Sequence, residues 1–184
     1  MHFEHIYIET ERVVLRPVAE NDSKPFYQIY ADPEAMKYWS SLPFAHESQA
    51  QEKIAGAIDA FHAGNALLLA IVFKEMNKFI GTMSLFNIHA ESRRAEVGYM
   101  LSRSFWRKGL MTEVLEAFIH YCFYELNLNR LEADIDPRNK ASAALLTKCG
   151  FELEGYLKER WIVNGQITDS EIYGLVNSKA NPQK

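Results

Sequence analysis

The sequence Phe105-Trp-Arg-Lys-Gly-Leu-Met-Thr-Glu113 carries most of the structural information in this chain, together with the segment from Asn139 to Phe151. In the first stretch, basic residues and a glycine stand immediately before a strongly amphipathic run, which is typical of a phosphate-binding turn that opens a helix. The second segment begins with a helix-capping Asn and ends at Gly150, which can serve as a helix C-cap before a strand. Because both spacings hold at once, the pair is a stronger indication than either stretch alone.

Hydrophobic periodicity extends outward from these two segments as an alternation of strands and helices. Apolar residues from Leu110 to Leu126 trace one helical face over roughly four turns, so a long helix follows the first stretch. A helix between two strands suggests a parallel crossover. Asn164-Gly165 is the strongest short-range signal for a two-residue hairpin turn. The runs expected to form strands are Val13–Arg16, Leu67–Phe73, Phe79–Phe86, Ala95–Leu101, Arg130–Ile135, Phe151–Val163 and Ile167–Val176.

Two further helices are predicted in the N-terminal third. Capping residues at Glu20–Ser23 precede one apolar-periodic stretch. Ser48 and Gln51 have the spacing of a capping box, and apolar residues follow at helical spacing until Gly64.

Composition indicates an ordinary globular protein. The chain has 184 residues, of which 48% are hydrophobic and 24% charged, so we expect a single domain over 1–184 with a polar tail from about residue 177. The longest apolar run, residues 66–73, is far shorter than the roughly 20 residues needed to span a bilayer. The N-terminus lacks the features of a signal peptide, so we expect a cytoplasmic protein without a membrane partner.

The net charge and the two cysteines bear on which partners and metal sites we expect. The net charge is −4 and the basic residues are dispersed, which argues against a nucleic-acid partner. Cys122 and Cys149 have no metal-ligand spacing, so we expect two reduced structural thiols and no metal site.

These motifs, in this order of elements, resemble the GNAT superfamily of N-acetyltransferases over nearly the whole chain. More narrowly they are similar to its RimJ/RimL branch, whose named members acetylate the N-termini of ribosomal proteins. The matching positions are residues 96–99, 106–109, Asn139, Ser142, Lys148, Gly150, Phe151, Asp169 and Tyr173.

The resemblance implies an α/β fold and a reaction. The fold has a mixed central sheet of about seven strands flanked by about four helices, in the order β-α-α-β-β-β-α-β-α-β-β. The reaction is transfer of an acetyl group from acetyl-CoA to an amine by direct attack in a ternary complex.

The resemblance also places cofactor contacts in both segments. Arg107 stands where the branch usually has Gly, and Met111 where Gly or Ala is expected, so the pyrophosphate would approach the backbone less closely. Backbone N–H groups at a helix N-terminus still bind anions whatever the side chains. The residues alone leave alternatives: Arg107 and Lys108 as a solvated pair, Asn139 as a simple N-cap, Lys148 as a surface residue. The implied cofactor-binding residues are Met100, Leu101, Arg107, Lys108, Gly109, Leu110, Met111, Thr112, Asn139, Ser142 and Lys148.

Two catalytic residues are implied. Glu96 is the leading general base, because its strand borders the acyl site in this fold; the alternative is a strand-edge carboxylate paired with Arg93 or Arg94. Many family members offer a Tyr as the acid in the helix of the second segment, where this chain has Leu146. Ser142 is the substitute candidate, although a Ser one turn into a helix is often only a capping or packing residue.

The remaining site predictions concern the thioester and the acceptor. A backbone N–H near Met100 would polarise the thioester oxygen, where two strands are expected to splay apart. Tyr38, Trp39 and Phe44 belong to an aromatic loop that either lines the acceptor site or forms a lid over the core.

Three functional hypotheses follow. The first, implied by the resemblance, is an acetyltransferase for an N-terminal α-amine. Such an amine demands less of a base, because about 15% of it is neutral at pH 7 against roughly 0.04% of a lysine side chain. A ribosomal protein is one possible acceptor of this kind. The second hypothesis is a small amine such as a polyamine, an amino sugar or an antibiotic. The third is a CoA-binding module without catalysis. A homodimer is possible in each case.

Overall fold

A computed structural model describes residue 3 and residues 5–177. The strands are β1 (Ile8–Glu9), β2 (Val13–Pro17), β3 (Leu67–Phe73), β4 (Lys78–His89), β5 (Arg94–Leu101), β6 (Arg130–Ile135), β7 (Glu152–Val163) and β8 (Gln166–Val176). The α-helices are α1 (Ser23–Tyr30), α2 (Glu47–His62), α3 (Leu110–His120) and α4 (Lys140–Lys148). The polar tail expected from about residue 177 lies, beyond its first residue, outside the described residues. Among the described helices, none is both long enough and apolar enough to cross a bilayer.

The strands form one mixed sheet in the order β1-β2-β3-β4-β5-β6-β8-β7. Neighbouring strands are antiparallel except β5 and β6, which α3 joins as a parallel crossover. This confirms the α/β fold and the predicted order of elements. The additional strand, β1, pairs with β2 over only two residues, which is too short to leave a periodic pattern in the sequence.

The parallel pairing of β5 with β6 ends early, and this creates the opening that defines the site. The last paired residues are Glu96 and Glu132. β5 continues to Leu101 in register with β4, and β6 pairs with β8 along its whole length, so only the pairing between β5 and β6 stops at this point. The second half of β5 therefore has backbone polar groups on one side that no neighbouring strand satisfies.

The helices cover the two faces of this sheet. α3 and α4 pack on one face, where Val97 and Leu101 of β5 join the larger hydrophobic cluster. α1 and α2 pack on the other face, which includes Met100. Because side chains alternate along a strand, successive residues of β5 face the two helix pairs in turn.

Two details of the helices differ from the sequence prediction. The capping box predicted at Ser48 and Gln51 is wrong by two residues, because the side chain of Gln49 accepts from the N–H groups of Ala45 and His46. The helix predicted to run to Leu126 is α-helical only to His120 and continues as a π-helical turn to Glu125.

Candidate active site

The N-terminus of α3 is shaped as an anion-binding site. Gly109 is the N-cap residue and has φ = 75°, a left-handed conformation that glycine adopts without strain. The first intrahelical hydrogen bond runs from the N–H of Glu113 to the carbonyl of Gly109. The N–H groups of Leu110, Met111 and Thr112 therefore have no helical acceptor and point out of the helix end. Together with the helix dipole they attract a phosphate group.

A network from the start of the chain holds this turn in place. The guanidinium of Arg12 donates to the carboxylate of Glu113 at 2.7 Å and to the carbonyl oxygen of Lys108 at 2.9 Å. The hydroxyl of Thr10 donates to the same carboxylate at 2.6 Å. Burial alone would raise the pKa of Glu113, but these hydrogen bonds lower it overall. Arg12 thus neutralises the one acidic residue of the first helical turn. Sequence reasoning missed this network.

The residues before Gly109 show how the unusual sequence of the turn is accommodated. Arg107 has φ = 58°, so it adopts the left-handed conformation although it is not a glycine. The ammonium group of Lys108 lies 5.1 Å from the ring centre of Phe105. The indole N–H of Trp106 donates to the carbonyl oxygen of Leu101 at 2.6 Å, which ties the turn to the end of β5.

The start of α4 contributes a pair of hydroxyl groups. The side-chain oxygen of Asn139 accepts from the N–H of Ser142, which confirms Asn139 as the N-cap. The hydroxyl oxygens of Ser142 and Tyr99 lie 2.7 Å apart. Tyr99 was matched to the family pattern in the sequence but was not assigned a role. Tyr99 lies two residues from both Val97 and Leu101 on β5, so its side chain is on the same sheet face, which α4 covers. This spacing is the sequence signal that could have placed it there.

These features border a single cleft of about 510 Å³. Its lining joins the opening beside β5, the N-termini of α3 and α4, and the loop that follows α1. The lining residues are Glu34, Ala35, Lys37, Tyr38, Trp39, Tyr99, Met100, Leu101, Phe105, Trp106, Arg107, Lys108, Gly109, Leu110, Met111, Thr112, Asn139, Ala141, Ser142 and Leu145. A second cleft of about 570 Å³ lies between β2, β3 and α2, and its walls are mainly apolar. The first cleft contains the hydroxyl pair and the free backbone N–H groups described above, so it is the candidate active site.

The sequence matches the model of the acetyltransferase (GNAT) domain over residues 12–152. The chain belongs to the GNAT acetyltransferase family. It is 37% identical over 167 residues to the uncharacterized N-acetyltransferase p20 of Bacillus licheniformis, an alignment that covers 91% of this chain and 94% of that relative. It is 30% identical over 183 residues to the [ribosomal protein uS5]-alanine N-acetyltransferase of Escherichia coli, covering 96% and 94%.

A solved GNAT structure has the same fold. The spermidine N-acetyltransferase of Vibrio cholerae, crystallised with CoA and spermine, superposes with a TM-score of 0.82 at 22% identity and covers 92% of this chain and 98% of its own. The resemblance to the family is confirmed, and this chain is an N-acetyltransferase of the GNAT family.

Most of the sequence-predicted residues meet in the cleft of this GNAT domain, but three do not line it. Phe44 stacks on Phe26 and Tyr30 at ring-centre distances of 6.2 and 5.5 Å, so it belongs to the core beneath the loop. Tyr38 and Trp39, from the same loop, do line the cleft. The position of Phe44 does not support the predicted acceptor contact, and its packing against the core is what the lid alternative expects.

Lys148 also lies away from the cleft. It is exposed at the last residue of α4, at the opposite end of the helix from Asn139. Nine residues of helix span roughly 13 Å, so the two residues flank opposite ends of the element. The prediction of a phosphate contact at Lys148 is not supported by this position, and the alternative of a surface residue describes it.

The backbone N–H of Met100 faces away from the opening. The N–H of Ser102 donates to the carbonyl oxygen of Ile80 in β4, and polar groups alternate along a strand. The N–H of Met100 therefore belongs to the ladder with β4, and the N–H groups of Tyr99 and Leu101 face the opening. The thioester contact from an N–H near Met100 therefore stays a prediction, and its candidates are the N–H groups of Tyr99 and Leu101, because a sequence motif does not fix which side of a strand its amides face.

Glu96 lies on the opposite face of the sheet from Tyr99 and does not line the cleft. Its carboxylate accepts from the side-chain amide of Asn87 at 3.0 Å. The expected alternative, a pair with Arg93 or Arg94, is wrong: Arg94 pairs with Glu132 at 3.1 Å, and Arg93 donates to an asparagine.

Proposed function

We propose that this GNAT chain takes acetyl-CoA as its acetyl donor and the α-amine of a peptide or protein N-terminus as its acceptor. The observation that carries the proposal is the composition of one cleft. It brings together the unpaired N–H groups at the start of α3, the hydroxyl pair of Tyr99 and Ser142, and the aromatic side chains of Tyr38 and Trp39.

The residues present fit an acetyl-CoA molecule. The pyrophosphate matches the free N–H groups of Leu110, Met111 and Thr112, and Arg107 and Lys108 add positive charge beside them. The pantetheine arm carries amide groups, which match the unsatisfied backbone edge of β5 as an added strand would. Acetyl-CoA supplies an activated acyl group on a thiol leaving group.

The charge of the cleft favours an acceptor with a single amine. Apart from Arg107 and Lys108, the charged lining residues are Glu34 and Lys37, which cancel. A polyamine carries several positive charges and requires a site rich in carboxylates. The neutral fraction of an N-terminal α-amine at pH 7 is far larger than that of a lysine side chain, so it needs less help from a base. The relative from Escherichia coli that carries the name of a ribosomal-protein alanine N-acetyltransferase supports this acceptor class.

Glu96 is the carboxylate that we assign as the general base. On its face of the sheet, Glu132, Glu154 and Asp134 each pair with an arginine, which competes for their lone pairs. Over residues 5–177, the carboxylate of Glu96 has a single hydrogen-bond partner, the neutral amide of Asn87. Glu96 lies on the same sheet face as Met100, which lines the cleft, and in this proposal it takes the proton of the acceptor amine from the α1/α2 side, directly or through water.

The acceptor is tested with a panel of amines. Thiol release from acetyl-CoA is measured with a peptide that has a free N-terminal Ala, the same peptide blocked at its N-terminus but carrying a lysine, and spermidine. The proposal predicts the largest kcat/KM for the free N-terminus. A preference for spermidine would replace it with the small-amine function.

The base is tested with a matched pair of variants. Glu96→Gln is expected to lower kcat by about 10²-fold at neutral pH, with CoA affinity unchanged. Glu132→Gln removes a carboxylate from the same face and is expected to affect stability more than rate, because Glu132 is held by two arginines. An equal loss of kcat in both variants would remove Glu96 from the base role.

A further inference from the structure

Tyr99 and Ser142 form a hydroxyl pair whose hydrogen bonds are not all used. Over residue 3 and residues 5–177, each hydroxyl has the other as its hydrogen-bond partner and no other. Two hydroxyl groups carry two protons, and the bond between them uses one. The second proton is therefore available to a group in the cleft, which both residues line.

The pair is fixed from both sides. Ser142 is buried, and its own N–H is bound by Asn139, so its place in the first turn of α4 is set. Tyr99 comes from β5, which is held in register with β4 up to Leu101. Burial raises the pKa of Tyr99, so its phenol keeps its proton throughout the neutral range.

The chemistry of the two hydroxyls differs. An aliphatic alcohol is a much weaker acid than a phenol, whose ordinary pKa is about 10, so serine alone is poorly matched to a departing thiolate. Leu146 is fully buried in the core and brings no hydroxyl to the cleft from the middle of α4. Among the described residues that line the cleft, Tyr38 is the only other phenol, and it comes from the loop after α1.

We propose that Tyr99 is a positioning residue that acts through Ser142: its phenol donates to the serine oxygen and directs the serine proton at the departing sulfur. This inference rests on the proposed acetyl transfer. As the new N–C bond forms, the amine nitrogen loses a proton to the general base Glu96, and the C–S bond breaks with its electron pair passing to sulfur. Ser142 gives its proton to that sulfur and takes the proton of Tyr99. Solvent water then returns a proton to the tyrosinate, so free CoA thiol leaves and both hydroxyls are restored.

The test compares Tyr99→Phe, Ser142→Ala and the double variant. Each single change is expected to lower kcat by roughly 10- to 100-fold with CoA affinity nearly unchanged. Because Tyr99 acts through Ser142, the double variant is expected to be no slower than the slower single variant. The solvent deuterium isotope effect on kcat should fall in Tyr99→Phe, since one fewer proton moves in the step. A merely structural role of Tyr99 would leave this isotope effect unchanged.

Tyr30→Phe is the matched control. Tyr30 forms a similar buried hydroxyl pair with Thr82 at 2.8 Å, outside the lining of the cleft. The Tyr30→Phe variant should lose about as much thermal stability as Tyr99→Phe and keep the kcat and the isotope effect of the wild type.

The possible failures are distinguishable. An active wild-type protein whose Tyr99→Phe variant keeps kcat within twofold, or a double variant that loses the product of the two single effects, overturns the role of Tyr99 alone. A wild-type protein that binds acetyl-CoA and acetylates no amine overturns the proposed function, and the role of Tyr99 with it.

Discussion

The N-termini of α3 and α4 face the same cleft but are built in different ways. At α4, a side chain three residues away completes the helix start, because Asn139 accepts from the N–H of Ser142. At α3, the N-cap is a glycine without a side chain, and the support comes from Arg12, which is 101 residues from Glu113 in sequence. The start of α4 is therefore capped by its own side chain, whereas the start of α3 is open: it has no side-chain cap, and Arg12, from a distant part of the sequence, supports it.

The difference indicates which helix end is better suited to bind an anion. An N-cap side chain satisfies one of the free N–H groups, as Asn139 does at α4. At α3 those groups stay free, and the nearby acidic residue, Glu113, is neutralised by Arg12. We therefore propose that the open terminus is the phosphate site and that the capped terminus positions Ser142 for chemistry.

The largest effect is expected for Gly109→Val. A β-branched residue at φ = 75° is strained, at a cost of about 2 kcal/mol, and the turn will shift to relieve it. We expect CoA affinity to fall by about tenfold or more, measured by calorimetry. Gly165→Val is the control, since Gly165 has the same φ in the β7–β8 turn and nothing within 4 Å of the added carbon. Equal loss of CoA affinity in both variants would refute the assignment.

A smaller effect is expected for Arg12→Ala. The change releases the carbonyl of Lys108 and leaves Glu113 uncompensated beside the anion site, so CoA affinity should fall by roughly fivefold. Arg16→Ala, in β2 four residues further along the chain, breaks a comparable ion pair with the buried Asp22, away from the cleft. That control should lose stability and keep CoA affinity. If the two variants bind CoA equally well, the hydrogen bonds of Arg12 do not shape the anion site.

The capped terminus is tested with Asn139→Ala. Removing the cap should lower the free energy of unfolding by about 1 kcal/mol, measured by urea denaturation. Asn139→Asp keeps the capping oxygen and should restore most of the stability. A stability loss shared by both variants would contradict a capping role.

Arg107→Gly tests the strain at the open terminus. Replacing a non-glycine residue at φ = 58° with glycine should raise the free energy of unfolding by about 0.5 to 1 kcal/mol. Arg107→Gln removes the same charge and retains the strain, so it should not be stabilising. Thermal melts of the two variants separate the conformational effect from that of charge, and equal melting temperatures would argue against strain.

The smallest effect concerns pH. The folded-state pKa of Glu113 is lowered, so the network contributes stability above the ordinary pKa of a glutamate, about 4.3, and loses it as the pH falls through the lowered value. The stability difference between the wild type and Glu113→Gln should therefore be present at neutral pH and shrink below about pH 4. Denaturation curves at several pH values measure it, and a difference that stays constant would contradict the shift.

The same contrast explains what the sequence could predict. The cap at Asn139, the α3 face and the Asn164-Gly165 turn are local patterns, and the structure has each of them. The brace of Arg12 and the meeting of Tyr99 with Ser142 join residues that are 101 and 43 positions apart. Such contacts depend on sheet order and on which way a strand faces, and no local pattern records them.

Some predicted site residues do not line the cleft, for the same reason: their position depends on packing that no local pattern records. Lys148 and Phe44 belong to the right elements, but the helix end and the packing of the loop decide whether a side chain reaches the cleft. The sequence places the thioester donor near Met100 but does not decide between neighbouring N–H groups, because in a strand one residue reverses the direction of every backbone polar group.

A crystal structure with bound CoA tests the central claim most directly. The account predicts the pyrophosphate within hydrogen-bond distance of the N–H groups of Leu110, Met111 and Thr112, and the pantetheine arm along the open edge of β5. A CoA molecule bound elsewhere, or one whose pyrophosphate lies against α4 instead, would contradict it.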